Sequence, residues 1–192
     1  MIDDYSLPLN LPFSIGIYVA VNALPDVFLF MDAPSCAIAK ARYVYGNHDL
    51  MSTLLDESGC HRVVDSSANI CTVPIVRDED MKRRLRTTAS LDACQAIIIS
   101  AFHLTEVTGI QYDALARQME PEVKKPVLYV PNKSLNDDWL DGYEACLCTL
   151  AEAVELKGTA PDSRKAAIVG YLMDRTEEDH ISNIKELNRI LA

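Results

Sequence analysis

The chain has 192 residues, a net charge of −10, 49% hydrophobic and 24% charged residues. That is globular composition and length for one substantial domain, not a disordered chain. The acidic balance lacks the basic stripe a nucleic-acid or anionic-membrane surface needs, so neither partner is expected.

The opening Met1-Ile2-Asp3-Asp4 lacks the positive charge of a secretory leader. Residues 11–31 are apolar, but Asn22 and Pro25-Asp26 interrupt them, which reads as a helix then a strand and not a membrane span. The six cysteines are then expected as reduced thiols in a cytoplasm, open to metal or redox use.

In chain order, residues 1–13 are Pro-punctuated and read as extended. Ser14 is expected to cap a buried helix to Leu24, and Val27–Met31 to form a buried strand. Cys36–Tyr45 and Asp49–Glu57 read as helices, the second closed by Gly59. Arg62–Asp65 and Cys71–Val76 read as short β pieces. A charged surface helix is expected over Asp78–Thr88, and a strand buried on both faces over Gln95–Ser100. Helix Tyr112–Glu120, strand Pro126–Pro131 and a long helix Asp137–Leu156 follow. Gly158–Ser163 reads as a linker, Ala166–Leu172 as a strand and Glu178–Leu191 as a helix. The alternation implies βαβ units and an α/β fold, a parallel sheet with helices on both faces. The expected organisation is one domain over 1–157, a linker over 158–164, and a βα unit over 165–192 that adds to the sheet or opens a second domain.

Cys36 and Cys60 draw attention because each stands at the end of a predicted element, 60 − 36 = 24 positions apart. A thiol opening a helix is favoured as thiolate by the helix dipole. The bland alternative is two buried free cysteines acting as small hydrophobes. Cys71 and Cys94 read as core residues, and Cys146 and Cys148, two apart on a helix, point to different faces. His61 and His103 lie near the predicted loops as replacement ligands or proton donors, with the ordinary loop histidine as the simpler reading. A zinc site from Cys36, Cys60, His61 and His103 competes, without a Cys-x-x-Cys knuckle to support it. Neither Gly-rich phosphate loop is present, nor a Gly-x-Ser-x-Gly elbow.

Several phrases together resemble the nitrogenase component 1 family, which includes cofactor-assembly scaffolds and protochlorophyllide reductase subunits. Asp32-Ala33-Pro34-Ser35-Cys36 resembles a Gly-Pro-x-Gly-Cys loop, and Ser58-Gly59-Cys60 a second cysteine at similar spacing. Ala96–Phe102 followed by Gly109–Asp113, Pro126–Val130, and Asp141-Gly142-Tyr143-Glu144-Ala145 resemble further strands and turns of that family. Val169-Gly170-Tyr171 with Ile184–Leu187 resembles the opening of its second domain.

The resemblance implies a Rossmann-like fold and an oxidoreductase subunit that relays electrons to a substrate or metallocofactor. It implies an iron–sulfur cluster, [4Fe–4S], at Cys36 and Cys60. Because two thiolates are half of a cubane's usual four, the cluster is expected to be shared across a homodimer or with a paired homologous subunit. An ATP-dependent iron protein would be the reductase. The chain departs from the pattern at Phe102, where the family's third cysteine would stand. That departure supports the alternative of a cluster-free α/β interaction or ligand-binding domain.

Overall fold

The computed structural model describes residues 11–47, 49–69, 71, 77–133, 136–153 and 178–191. Four strands form one sheet: β1 (Val27–Asp32), β2 (Val63–Asp65), β3 (Ala96–Ala101) and β4 (Val127–Tyr129). All neighbours are parallel, in the order β2-β1-β3-β4. Residue Val27 pairs with Ala96 and Asp32 with Ala101, so the two central strands end level with each other.

The helices are α1 (Phe13–Ala23), α2 (Cys36–Asn47), α3 (Asp78–Ala89), α4 (His103–Glu106), α5 (Tyr112–Val123), α6 (Trp139–Ala153) and α7 (Glu178–Leu191). Every residue of β1 is buried, as a strand covered on both faces requires. Side chains alternate across the pleat. Leu29, Met31 and Ile98 join Phe13, Ile17, Val21, Ala37 and Cys146 of α1, α2 and α6 in one core. Phe28, Phe30, Ile97 and Ile99 join Met81, Leu85, Leu115 and Met119 of α3 and α5 in the other.

The α1–α6 contact is a backbone approach. A Cβ on Gly16 would lie 1.8 Å from the Trp139 carbonyl oxygen, and one on Gly142 would lie 1.9 Å from that of Phe13. Only glycine allows this spacing.

Buried polar groups anchor the loops. Arg62 donates to the carbonyls of Val21, Leu24 and Val27, and so collects the orphan acceptors where α1 ends and β1 begins. Lys125 does the same where α3 ends, donating to the carbonyls of Ala89, Leu91 and Cys94. The basic run at Lys82–Arg86 is a solvated face: Lys82 pairs with Glu79, Arg83 and Arg84 with Asp80, and Arg86 with Glu122.

Several expected elements differ. Residues 49–57 form turns, not a helix. The Asp49 carboxylate accepts from the Met51 N–H, Ser52 Oγ from the Leu54 N–H, and Asp56 from the Ser58 N–H, a local alternative to helical pairing. Asn22 holds them in place by donating to Asp49 and accepting from Ser52. Gly59 takes its positive φ of 84° inside those turns and caps no helix. Ser14 is not a cap either: Pro12 precedes the first turn, and Ser14 Oγ accepts from Lys40. Helix α6 begins at a reciprocal cap, with Asp138 accepting from the Leu140 and Asp141 N–H groups and Asp141 from the Asp138 N–H. Helix α5 continues past Pro121 to Val123 and ends on Lys124 in the left-handed region, whose N–H bonds the Glu120 carbonyl. The short α4 carried no periodic signal. The linker, the strand at 166–172 and most of the β piece at 71–76 lie outside the described residues, whereas α7 falls where a helix was expected.

Candidate functional site

Strand order places the site. From β1 the chain passes through α2 on one face to β2, and from β3 through α4 and α5 on the other face to β4. The two central strands therefore lead away in opposite directions. This is a topological switch point, and the crevice outside its carboxyl ends is where open α/β sheets bind ligands.

Asp32 fixes the floor of that crevice. Its side chain is fully buried. Its carboxylate accepts from Arg77 through Nη1 at 2.5 Å and Nη2 at 2.9 Å, from Ser66 Oγ at 2.5 Å and from the Tyr112 hydroxyl at 2.7 Å. Thr105 Oγ1 donates to the Asp32 carbonyl. One residue thus ties the ends of β1 and β2 to the starts of α3, α4 and α5. Burial and the neighbouring Asp32 charge push the Tyr112 hydroxyl far above its ordinary range, so it remains a donor. Among the described residues Arg77 Nε has no hydrogen-bond partner. Sequence reading passed over Asp32 and Arg77. The available signal was an acid that ends a wholly apolar strand, where a carboxylate must find partners.

Above this floor is a pocket of about 350 Å³ lined by Pro12, Ser14, Pro34, Lys40, Phe102, His103, Leu104 and Asn132. The Lys40 ammonium lies 4.5 Å from the Phe102 ring centroid and donates to Ser14 Oγ at 2.5 Å. Burial lowers the Lys40 pKa from its ordinary value, and the Cys36 thiol one helical turn away acts in the opposite sense. The Asn132 amide donates to the Ala101 carbonyl at 2.5 Å, and its N–H donates to Glu106, closing the β4 side.

The proposed ligands divide between the two ends of the sheet. Cys36 opens α2 at the carboxyl edge and is exposed, and His103 opens α4 beside it. Cys60 precedes β2, whose first residue Val63 pairs with Leu29; the Leu29 N–H bonds the Arg62 carbonyl. Cys60 therefore lies at the amino edge, half-buried against the α3–α5 core with Cys94. His61 is exposed at that same edge. At about 3.3 Å per residue, the length of β1 alone separates the two thiols by on the order of 15 Å. A two-fold axis at the Cys36 loop would leave Cys60 equally far away. The residues present do not fit a four-thiolate cluster held by Cys36 and Cys60, nor a zinc site that adds both histidines. Among the described residues no group of three or more His, Cys, Asp or Glu could hold a metal. Phe102 is packed under Lys40 where a third cysteine was sought. Cys71, expected in the core, is exposed; Cys94 and Cys146 are buried, and Cys148 is exposed.

Cys60 and His61 line a second hollow of about 660 Å³ along β2, walled by α3 through Arg84 and Thr88 and by Leu91 just after it. No described helix is long and apolar enough to cross a membrane.

No family model matches the sequence, and no curated protein matches it. Solved structures do match in fold. The chain is similar to nitrogenase Cp1 at pH 6.5, with a TM-score of 0.65 and 15% identity over 80% of this chain and 33% of that one. It is similar to nitrogenase Cp1 at pH 5 with a TM-score of 0.61 and 16% identity, over 79% and 31%. The chain therefore spans about a third of the length of the structures it matches. At this identity the likeness is one of fold, which is α/β of the nitrogenase component 1 type.

Proposed function

We propose that this chain is the α/β domain of a nitrogenase-like oxidoreductase component that acts within a larger assembly. It contributes its switch-point crevice and one thiol, Cys36, to a site that a partner subunit completes. The position of Cys36 carries this reading: it is exposed, opens α2 at the carboxyl edge, and belongs to the loop that ends the central strand. An iron–sulfur cluster held this way would draw its other thiolates from the partner. The reductase would be an ATP-dependent iron protein, and the compartment a cytoplasm. The fold likeness and the loop Asp32-Ala33-Pro34-Ser35-Cys36 support these assignments. Residues 165–192 are read as the opening of a second domain or as an added strand and helix.

A second reading is a cluster-free domain that kept the fold and binds a ligand in the same crevice. The Lys40–Phe102 stack favours it, because it fills the place of a further thiolate with a ring and a cation.

Iron and acid-labile sulfide after anaerobic reconstitution decide between them, measured on the chain isolated together with its bound partner, as wild type, Cys36→Ala and Cys60→Ala. The first reading expects iron that is lost with Cys36→Ala and kept with Cys60→Ala. Iron lost with Cys60→Ala would contradict the separation of the two thiols. No iron in any of the three proteins leaves the cluster-free domain.

A further inference from the structure

We propose that the crevice beside Lys40 is a binding site for a small organic monocarboxylate. The inference rests on Lys40 and the pocket walls and is independent of whether Cys36 takes part in redox chemistry.

Lys40 is only partly exposed, on the inner side of α2. Its ammonium has one hydrogen bond, to Ser14 Oγ, and one ring contact, to Phe102. Among the described residues no carboxylate lies within ion-pair distance of it. A partly desolvated cation without a counter-ion is held at a cost. The carboxylates near this edge are engaged elsewhere: the Asp32 carboxylate is filled by Arg77, Ser66 and Tyr112, and Glu106 accepts from Tyr129 and Asn132, which leaves the Cys36 thiol one turn away as the acidic group acting on Lys40. An anion arriving from solvent would supply what Lys40 lacks.

The pocket selects the kind of anion. Lys40 is the ammonium lining it, Ser14, His103 and Asn132 add polar groups, and Pro12, Pro34, Phe102 and Leu104 make the rest of its walls apolar. One ammonium balances one negative charge, whereas a phosphate dianion would leave charge and acceptor oxygens unmatched against proline and phenylalanine. A volume of about 350 Å³ is at the lower end for ligand pockets, which suits a compact molecule. The carboxylate would pair with Lys40 Nζ, and the apolar body would lie on the Phe102 ring and the two prolines. The switch-point position supplies the independent topological reason for a ligand here.

The test uses the full chain with benzoate, neutral benzamide and inorganic phosphate as probes, followed by ¹H–¹⁵N shift titration. Benzoate should bind saturably with shifts centred on Lys40, Phe102 and Leu104. Benzamide should bind at least roughly tenfold more weakly, the factor one charge-assisted hydrogen bond carries. Lys40→Met should lose benzoate binding by a similar factor while melting no lower than wild type, because it removes an uncompensated charge. Lys40→Arg should retain binding, and the readout is carboxylate binding to the iron-free chain, which separates this site from the proposed redox role. The proposal fails if benzoate and benzamide bind equally, if Lys40→Met binds like wild type, or if phosphate displaces benzoate at the same residues. If Lys40→Met does not fold, the benzoate-to-benzamide ratio on wild type decides alone.

Discussion

Replacing Gly142 with Ala tests the reasoning about the α1–α6 contact most directly. A Cβ built on Gly142 lies 1.9 Å from the Phe13 carbonyl oxygen, while ordinary contact begins at 3.4 Å, so the helices would have to open by about 1.5 Å. The obstacle is backbone, so no side chain can rotate away. Opening the pair loosens the layer in which Phe13, Ile17, Val21 and Cys146 are buried. Overpacking of this kind costs about 1–3 kcal/mol, and the helix-propensity gain of Gly→Ala offsets roughly 1 kcal/mol at most. Because the obstructing atom is backbone at 1.9 Å, the cost falls at the upper end of that range and the expected net loss is about 2 kcal/mol, read as a fall in urea midpoint at unchanged slope. Gly46→Ala is the internal control: a Cβ there meets nothing within 4 Å and α2 is already helical, so the same chemical change should be neutral or slightly stabilising. If Gly142→Ala were as stable as wild type while Gly46→Ala behaved as expected, the close approach of α1 and α6 would be refuted.

Two further outcomes follow from the site. Asp32→Asn leaves the Arg77 guanidinium buried without its carboxylate and should cost about 3–5 kcal/mol in urea unfolding, the range for breaking a buried pair; a loss below about 1 kcal/mol would mean the network does not hold the edge together. Timed alkylation read by mass spectrometry should modify Cys36, Cys71 and Cys148 first and Cys60 more slowly, with Cys94 and Cys146 modified only on unfolding. Burial raises the Cys146 thiol to about 12, so mild alkali should not hasten its reaction; early labelling of Cys146 would contradict its place in the α1–α6 core.

The parallel sheet was legible because Val27–Met31 and Ala96–Ile99 are short, β-branched or aromatic apolar runs bounded by turn signals, as strands covered on both faces are. The separation of Cys36 from Cys60 was also partly legible. In a parallel α/β sheet a residue after a strand sits at the carboxyl edge and one before a strand at the amino edge, so Cys36 after β1 and Cys60 before β2 belong to opposite ends. Spacing along the chain hid this. Asp32 itself carried a signal, as the acid ending an apolar strand, but its partners Ser66, Arg77, Thr105 and Tyr112 were not legible, because topology brings them together and none stands close to Asp32 in sequence. The turns at 49–57 misled for a similar reason: their stability comes from Asn22, which is remote in the chain.

Among the described elements helices α1 and α6 form the most extensive helix pair, and they lie far apart in the chain. The second helix of the pair begins only at Trp139, after the four described strands. Closing so long a loop is entropically costly, and contacts of this range form late. On the ribosome, Phe13, Ile17 and Val21 would therefore wait without their partner while more than a hundred further residues are made. This face should be the last to close during refolding and the first to invite a chaperone or self-association.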